Sequence, residues 1–242
     1  MRLSKLLKWD FLFQAKYGII IAAIVITLVW LGLISLLPAF IMDYVIPIAF
    51  ITDFAVTGFL FIAAMLFFEK GQGTLDVIVT SPIKVSEYIL SKIISLSILI
   101  CSIAIALVFG VSIIKDIEVN YFFVVVASTL SSSFFILLGL IISTFYKSFT
   151  DMLMPMGGLF TLLFIPLLIY VNADILNFLD YIVFIWPTYS MINLIDAILG
   201  NSSTNAIILS IAYILILNFI LFRASIKFFN KKVIGREADI DG

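Results

Sequence analysis

Polar residues are so thinly spread along this chain that its uncharged runs read directly as helices. Runs at 18–37, 93–114, 119–146, 152–171 and 206–222, with a sixth at 54–68 extending back toward Tyr44 through Asp53, approach or exceed the roughly 20 apolar residues that cross a bilayer, and predict six spans. The run at 119–146 is longer than a bilayer needs, which implies tilt or an emergent end. Between the fifth and sixth runs, 172–205 holds two apolar pieces, 175–186 and 191–199, too short to cross and separated by Pro187. A re-entrant or surface-lying helix pair at the outer face fits them. Residues 2–17 place Leu3, Leu6, Leu7, Phe11 and Phe13 along one side of a helix and Arg2, Lys5, Lys8 and Lys16 elsewhere. Such a segment suits either an amphipathic helix in the inner interface or a basic tail that sets orientation. The run at 18–37 has no small-residue cleavage site after it and is expected to stay as the first span.

Composition agrees and narrows the function classes. Of 242 residues, 64% are hydrophobic and 12% charged, where soluble domains carry about a quarter charged. The fold class expected is all-α integral membrane, with no room for a large soluble catalytic domain. There is no His, and Cys101 is the only Cys, so the usual ligands of zinc, haem and iron-sulfur sites and the His-based nucleophile systems are missing. A transport protein is expected rather than an enzyme. The sequence has no Gly-x-x-x-x-Gly-Lys-Ser/Thr loop, so any ATP must be held by another chain. A net charge of −1 argues against nucleic acid.

The distribution of charge says more than its sum. With six spans and both ends cytoplasmic, Arg2, Lys5, Lys8, Lys16, Lys70, Lys84, Lys92, Lys147, Arg223, Lys227, Lys231, Lys232 and Arg236 lie inside and only Lys115 outside. The positive-inside rule therefore selects this topology. Asp43, Asp53, Asp116, Glu118, Asp174, Asp180 and Asp196 fall outside, which leaves the outer side at −6 and the inner at +5.

Within the spans, Ser91, Ser95, Ser102, Ala106 and Gly110 share one face of the third, and Ser128, Ser132, Gly139 and Ser143 one face of the fourth, stripes that suit close helix packing, a dimer interface or a polar path. Pro155, Gly157, Gly158 and Pro166 make the fifth span prone to kink. Trp186, Tyr181 and Tyr189 suit an outer aromatic belt. Asp53 is either an acid within the second span, able to attract a cationic or zwitterionic substrate, or a surface residue just before a span that begins after it. Asp53, Ser128, Ser132, Pro155 and Gly157 are the candidates for a translocation path.

The loop at 69–92 carries the strongest local signal. Gly71 and Gly73 end the second span, Thr74 can cap a short helix with Asp76 in its first turn, Pro82 stops it, and Ser86 can cap the next helix ahead of Glu87. Val77, Ile78 and Val79 are apolar in a cytoplasmic loop, so they either dock on a partner or lie flat in the inner leaflet.

The order Glu69-x-x-x-Gly73-Thr74-Leu75, then Ser81-Pro82, Glu87-Tyr88 and Lys92 at the start of a span resembles the family of ABC-2 type transporter permeases, and the likeness extends over essentially the whole chain. More narrowly, Phe13-Gln14-Ala15-Lys16-Tyr17-Gly18, the stretch 52–59 and the stretch 81–92 look like the permeases labelled fluoroquinolone exporters. The resemblance implies one transmembrane domain: an interfacial helix at 1–17, spans one to five over 18–171 with a coupling loop at 69–92, an outer re-entrant segment at 172–205, a sixth span at 206–229 and a cytoplasmic tail at 230–242. It also implies that the element matching 74–81 is a coupling helix docked on a separate ATP-binding subunit, with Glu69, Thr74, Leu75, Val77, Ile78, Val79, Pro82, Glu87 and Lys92 as the coupling residues. The partners implied are that ATPase, which would hold ATP and Mg, and a second permease copy, in the cell membrane of a prokaryote. The function implied is export of an amphipathic drug-like, peptide or lipid substrate. Bacteriocin or antimicrobial-peptide export or immunity is the alternative cargo, and a secondary transporter driven by an ion gradient the alternative class.

Overall fold

The computed structural model describes residues 2–75, 83–171, 183 and 185–234. Among them every regular element is helical: α1 (Arg2–Lys16), α2 (Ile19–Leu36), α3 (Met42–Gly71), α4 (Val85–Lys115), α5 (Tyr121–Ser143), α6 (Phe149–Leu163), α7 (Ile165–Val171), α8 (Pro187–Asp196) and α9 (Thr204–Phe229), with short turns at Ala39–Ile41 and Asn230–Ile234. Six stretches are long and apolar enough to cross a membrane: Ile19–Leu36, Ala39–Gly71, Val85–Lys115, Tyr121–Ser143, Phe149–Tyr170 and Thr204–Lys232. The six runs of the sequence thus correspond to these six stretches, the fifth of them made of two helices. The chain is a multi-pass membrane protein.

Several helices reach beyond the uncharged runs, for reasons their ends make plain. Helix α4 starts at Val85, well before residue 93, because Lys92 and Glu87 are absorbed into it. Its N-cap is Lys84, whose N–H is accepted by the Glu87 carboxylate at 3.3 Å. Ser86, expected to cap, lies inside the first turn. Helix α6 starts at Phe149 behind Ser148, whose hydroxyl accepts the Asp151 N–H at 3.2 Å, and α9 starts behind Ser203 in the same way at 3.3 Å. Both are ordinary side-chain caps of otherwise unpaired amides. The long fourth run resolves into a 23-residue helix, its Asn120 side chain accepting the Phe122 N–H at 3.1 Å as a cap.

Helix α5 is the hub of the bundle, packed on α3, α4 and α9, while α8 bridges α3 and α9. Its small residues do what small residues do in membranes: Ser128, Ser132, Gly139 and Ser143 are all buried. A Cβ at Gly139 would sit 2.7 Å from the Phe59 carbonyl oxygen of α3, and one at Gly58 would sit 3.1 Å from Phe135 Cβ of α5. The stripe on α4 is not one interface. Ser91 and Ser95 are buried on the α1 side and Gly110 abuts Leu31 of α2, but Ser102 and Ala106 are exposed.

The fifth span breaks, though not at Pro155 or at Gly157 and Gly158, through which α6 runs on. It breaks at Phe164, because Pro166 has no N–H for the Leu162 carbonyl and its ring crowds that position. The freed carbonyls are served from elsewhere: the Trp186 indole donates to Leu162 O at 2.7 Å and the Thr188 hydroxyl to Leu163 O at 2.5 Å. Trp186 is therefore a helix-mending donor as well as an aromatic near one end of the bundle. Tyr181 lies outside the described residues.

Two ends are distinct. One gathers α1, the end of α3, the starts of α4 and α6 and the end of α9; the opposite end holds Lys115, Asp43, Tyr170, Asp196 and Asn201. There Lys115 Nζ donates to the Ser35 and Leu37 carbonyls at 3.1 and 2.6 Å, closing the end of α2. The Tyr170 hydroxyl donates to Asp196 Oδ1 at 2.8 Å, and Asn201 Nδ2 to Asp43 Oδ1 at 3.3 Å. Burial pushes the Asp196 carboxyl up from its ordinary 3.8 to about 6, with the Tyr170 hydrogen bond pulling down and the Asp43 charge pushing up. A carboxyl that binds its proton more tightly in the folded state stabilises the fold fully below its unfolded value, and that contribution is lost as pH rises through its folded one. Melting temperature in detergent is therefore expected to fall between pH 4 and 7 by more in the native chain than in Asp196→Asn. Equal slopes would contradict the assignment.

Candidate functional site

The coupling loop's two arms meet a third segment at the end of the bundle that carries α1. Glu69 closes α3 before the loop and Lys92 follows it a little over two turns into α4, while Asp10 comes from the middle of α1. Lys92 Nζ donates to Asp10 Oδ1 at 2.5 Å and to Glu69 Oε1. Ser91 donates to the other Asp10 oxygen and the Tyr88 hydroxyl to the other Glu69 oxygen. The ammonium also lies over the Tyr88 and Phe13 rings, at 5.2 and 5.6 Å. All three charges are nearly inaccessible: Lys92 is 2% exposed, Asp10 and Glu69 5% each.

Burial makes this cluster costly to assemble and costlier to break. A buried charge pair repays its desolvation only with good geometry and satisfied lone pairs, and here every carboxylate oxygen has a donor. The net charge of the trio is −1, so Lys92 is the one member whose loss leaves like charges facing each other. Around it, Gln14 Nε2 donates to Ser95 Oγ at 3.1 Å, Tyr17 stacks on Phe68 at 5.0 Å between centroids, and Tyr88 packs on Phe229 at 5.3 Å. Helices α1, α3, α4 and α9 are thereby joined at one point.

The sequence-predicted coupling residues separate into three groups. Glu69 and Lys92 pair with each other. Glu87 is spent on capping its own helix. Thr74 and Leu75 are helical, but Leu75 is 2% exposed and packs in the chain's own core, so it presents no docking face. Val77, Ile78, Val79 and Pro82 lie outside the described residues. The path candidates do not converge. Asp53 lies inside α3, 3% exposed, with Oδ1 lacking a hydrogen-bond partner among the described residues, which corrects the reading of it as a surface residue. Ser128 and Ser132 are buried on α5, with Ser132 donating to Ser97 Oγ at 3.2 Å, whereas Pro155 and Gly157 are exposed on α6. Asp10 was not singled out by the sequence, and Gln14, Tyr88 and Ser91 entered it only as motif or packing residues, not as partners of the coupling charges. Their signal was there: Asp10 and Gln14 fall in the stripe of Leu3, Leu6, Leu7 and Phe13, where polar residues need partners.

Among the described residues no group of three or more acidic, Cys or His side chains could hold a metal. Comparison with known proteins gives a family match: the sequence pattern of the Fluoroquinolones export permease protein family fits residues 1–237. Two relatives from Mycobacterium tuberculosis, fluoroquinolones export permease proteins of the strains CDC 1551 / Oshkosh and ATCC 25618 / H37Rv, are each 29% identical over 92 residues. That stretch covers 38% of this chain and 39% of each relative.

Proposed function

Since the chain belongs to the Fluoroquinolones export permease protein family, we propose that it is the membrane-spanning half of an ATP-driven exporter of amphipathic drug-like molecules, fluoroquinolones among them. Two permease copies sit on two ATP-binding subunits in the cell membrane of a prokaryote, with both chain ends and the 69–92 loop in the cytoplasm. The chain is not itself an enzyme. ATP and Mg are held by the partner, because this sequence has no phosphate-binding loop of its own.

The observation that carries the reading is the Asp10–Lys92–Glu69 trio. It ties the helix before the loop, the helix after it and α1 into one rigid corner. Closure of the ATPase pushes on the loop; the corner cannot flex locally, so the push moves α3, α4 and α1 together, and packed helices shift as rigid bodies. Helix α1 lies along the inner interface with its exposed Lys5, Lys8 and Lys16 toward lipid phosphates; the re-entrant reading of 172–205 falls in part on residues outside those described.

The test is co-expression with a soluble ATP-binding subunit of the ABC type from the same genome. Val79→Asp is expected to abolish co-purification of the ATPase while leaving the permease folded. Undiminished complex formation would sink the docking reading. Leu75 is unsuitable for this purpose, since a charge there would disrupt the permease core.

A further inference from the structure

Helix α9 is the least buried of the six spans, and its exposed side changes character along its length. Ala212, Ile216 and Phe219 are exposed, and at helical spacing they continue on the same face into the exposed cations Arg223 and Lys227. Lys231, exposed as well, follows about one turn further on. From Ala212 to Arg223 the stripe rises about 16 Å at 1.5 Å per residue, close to half of a hydrocarbon core about 30 Å thick. The Arg223 guanidinium sits 5.3 Å over the Phe219 ring, where the apolar part meets the cationic one. No acidic residue occurs between Thr204 and Ile234, and among the described residues the only ion pairs are those of Lys92. Lys232 serves elsewhere, with its ammonium 5.6 Å over the Phe145 ring.

We infer that this stripe binds an anionic phospholipid, with an acyl chain along Ala212, Ile216 and Phe219 and the phosphate between Arg223 and Lys227. The leaflet follows from the topology proposed above, while the site stands whatever the permease exports. The length of the apolar part matches one leaflet, and the cations begin where the headgroup of such a lipid lies. A guanidinium presents two parallel donors to a phosphate, and its stacking on Phe219 holds it at that depth. Clustered Lys and Arg at the cytoplasmic end of a span draw anionic lipids, an attraction that fades within a Debye length. A zwitterionic lipid gains less, because its own ammonium group is repelled by Lys227 and Lys231. A second copy presenting the same face is disfavoured too, since it would set Arg223 and Lys227 against themselves.

The experiment heats the purified full-length permease in detergent, without the ATPase, in the presence of dioleoylphosphatidylglycerol or dioleoylphosphatidylcholine, which share their chains and differ in headgroup charge. At about ten times its Kd the anionic lipid is expected to raise Tm by about 3–6 °C, and the zwitterionic lipid by clearly less. Arg223→Gln/Lys227→Gln is expected to melt like the native chain without lipid and to lose at least half of the difference between the two lipids. Lys5→Gln/Lys8→Gln removes the same charge from α1 and is expected to keep most of it. Equal losses in the two double variants would reduce the effect to overall charge and overturn the site. Equal protection by glycerophosphoglycerol, the headgroup without chains, would overturn the apolar half of the stripe and the lipid with it. A native dimer that Arg223→Gln/Lys227→Gln turns into monomer would assign the face to a second copy. A lipid effect that emerges only in Glu237→Gln/Asp239→Asn/Asp241→Asn would assign it to the chain's own acidic end. Either result overturns the lipid as occupant and leaves the export reading untouched.

Discussion

Replacing Lys92 with Met is expected to destabilise the folded permease by about 3–5 kcal/mol, because it leaves Asp10 and Glu69 buried with no cation between them. The effect should be asymmetric. Asp10→Asn leaves one ammonium facing one carboxylate, a neutral pair, and its loss should be clearly the smaller. Changing all three together (D10N/E69Q/K92M) removes the buried charge and is expected to restore much of the melting temperature lost by Lys92→Met alone. Fluorescence-detected gel filtration of heated, detergent-solubilised protein reads the native chain and all three variants. If Lys92→Met and Asp10→Asn melt alike, the trio is not an electrostatic unit. Drug export by the triple variant separates stability from coupling: a folded but inactive permease is the outcome expected of a corner that transmits force.

The second large effect belongs to Gly139. A methyl group there meets the Phe59 backbone at 2.7 and 2.9 Å, and backbone cannot swing aside as a side-chain tip can. Gly139→Ala forces α3 and α5 apart, an overpacking change of about 1–3 kcal/mol, and Gly139→Leu is expected to prevent assembly. Gly58→Ala, at 3.1 Å from Phe135 Cβ, should be milder. Gly157→Ala provides the contrast. Nothing lies within 4 Å of its missing Cβ, so the change gains helix propensity of roughly 1 kcal/mol and should raise the melting temperature of the single chain. A Gly139→Ala variant as stable as the native chain would show that the two helices are not held at contact distance.

These two sites also show where sequence reading succeeds and stops. The six spans were legible because apolar length is a local property, and the structure keeps all six. Their ends were less so. Lys92 was read as the start of a span and Asp53 as either a span residue or a surface residue just before one, because charge usually marks water, but Asp53 is buried within α3 and Lys92 is paired inside the bundle. Pairing is what hides them: Lys92 lies 82 residues from Asp10 and 23 from Glu69. A lone sequence carries no record of that meeting beyond a misplaced acid in the apolar stripe of α1. The small residues divide for a similar reason. Gly139 and Ser132 face a neighbouring helix while Ser102 and Ala106 do not, and spacing cannot tell which faces find partners. The break in the fifth span was expected among Pro155, Gly157, Gly158 and Pro166, and only Pro166 produced it, because only there does a proline coincide with donors able to take over the freed carbonyls.

Those donors also decide what holds the fifth span in place. The Leu162 and Leu163 carbonyls that Pro166 leaves open are closed by Trp186 and Thr188, more than twenty residues further along the chain. Bare backbone is costly against lipid, so the break in this span is sealed by the start of α8 and not by the span's own helix.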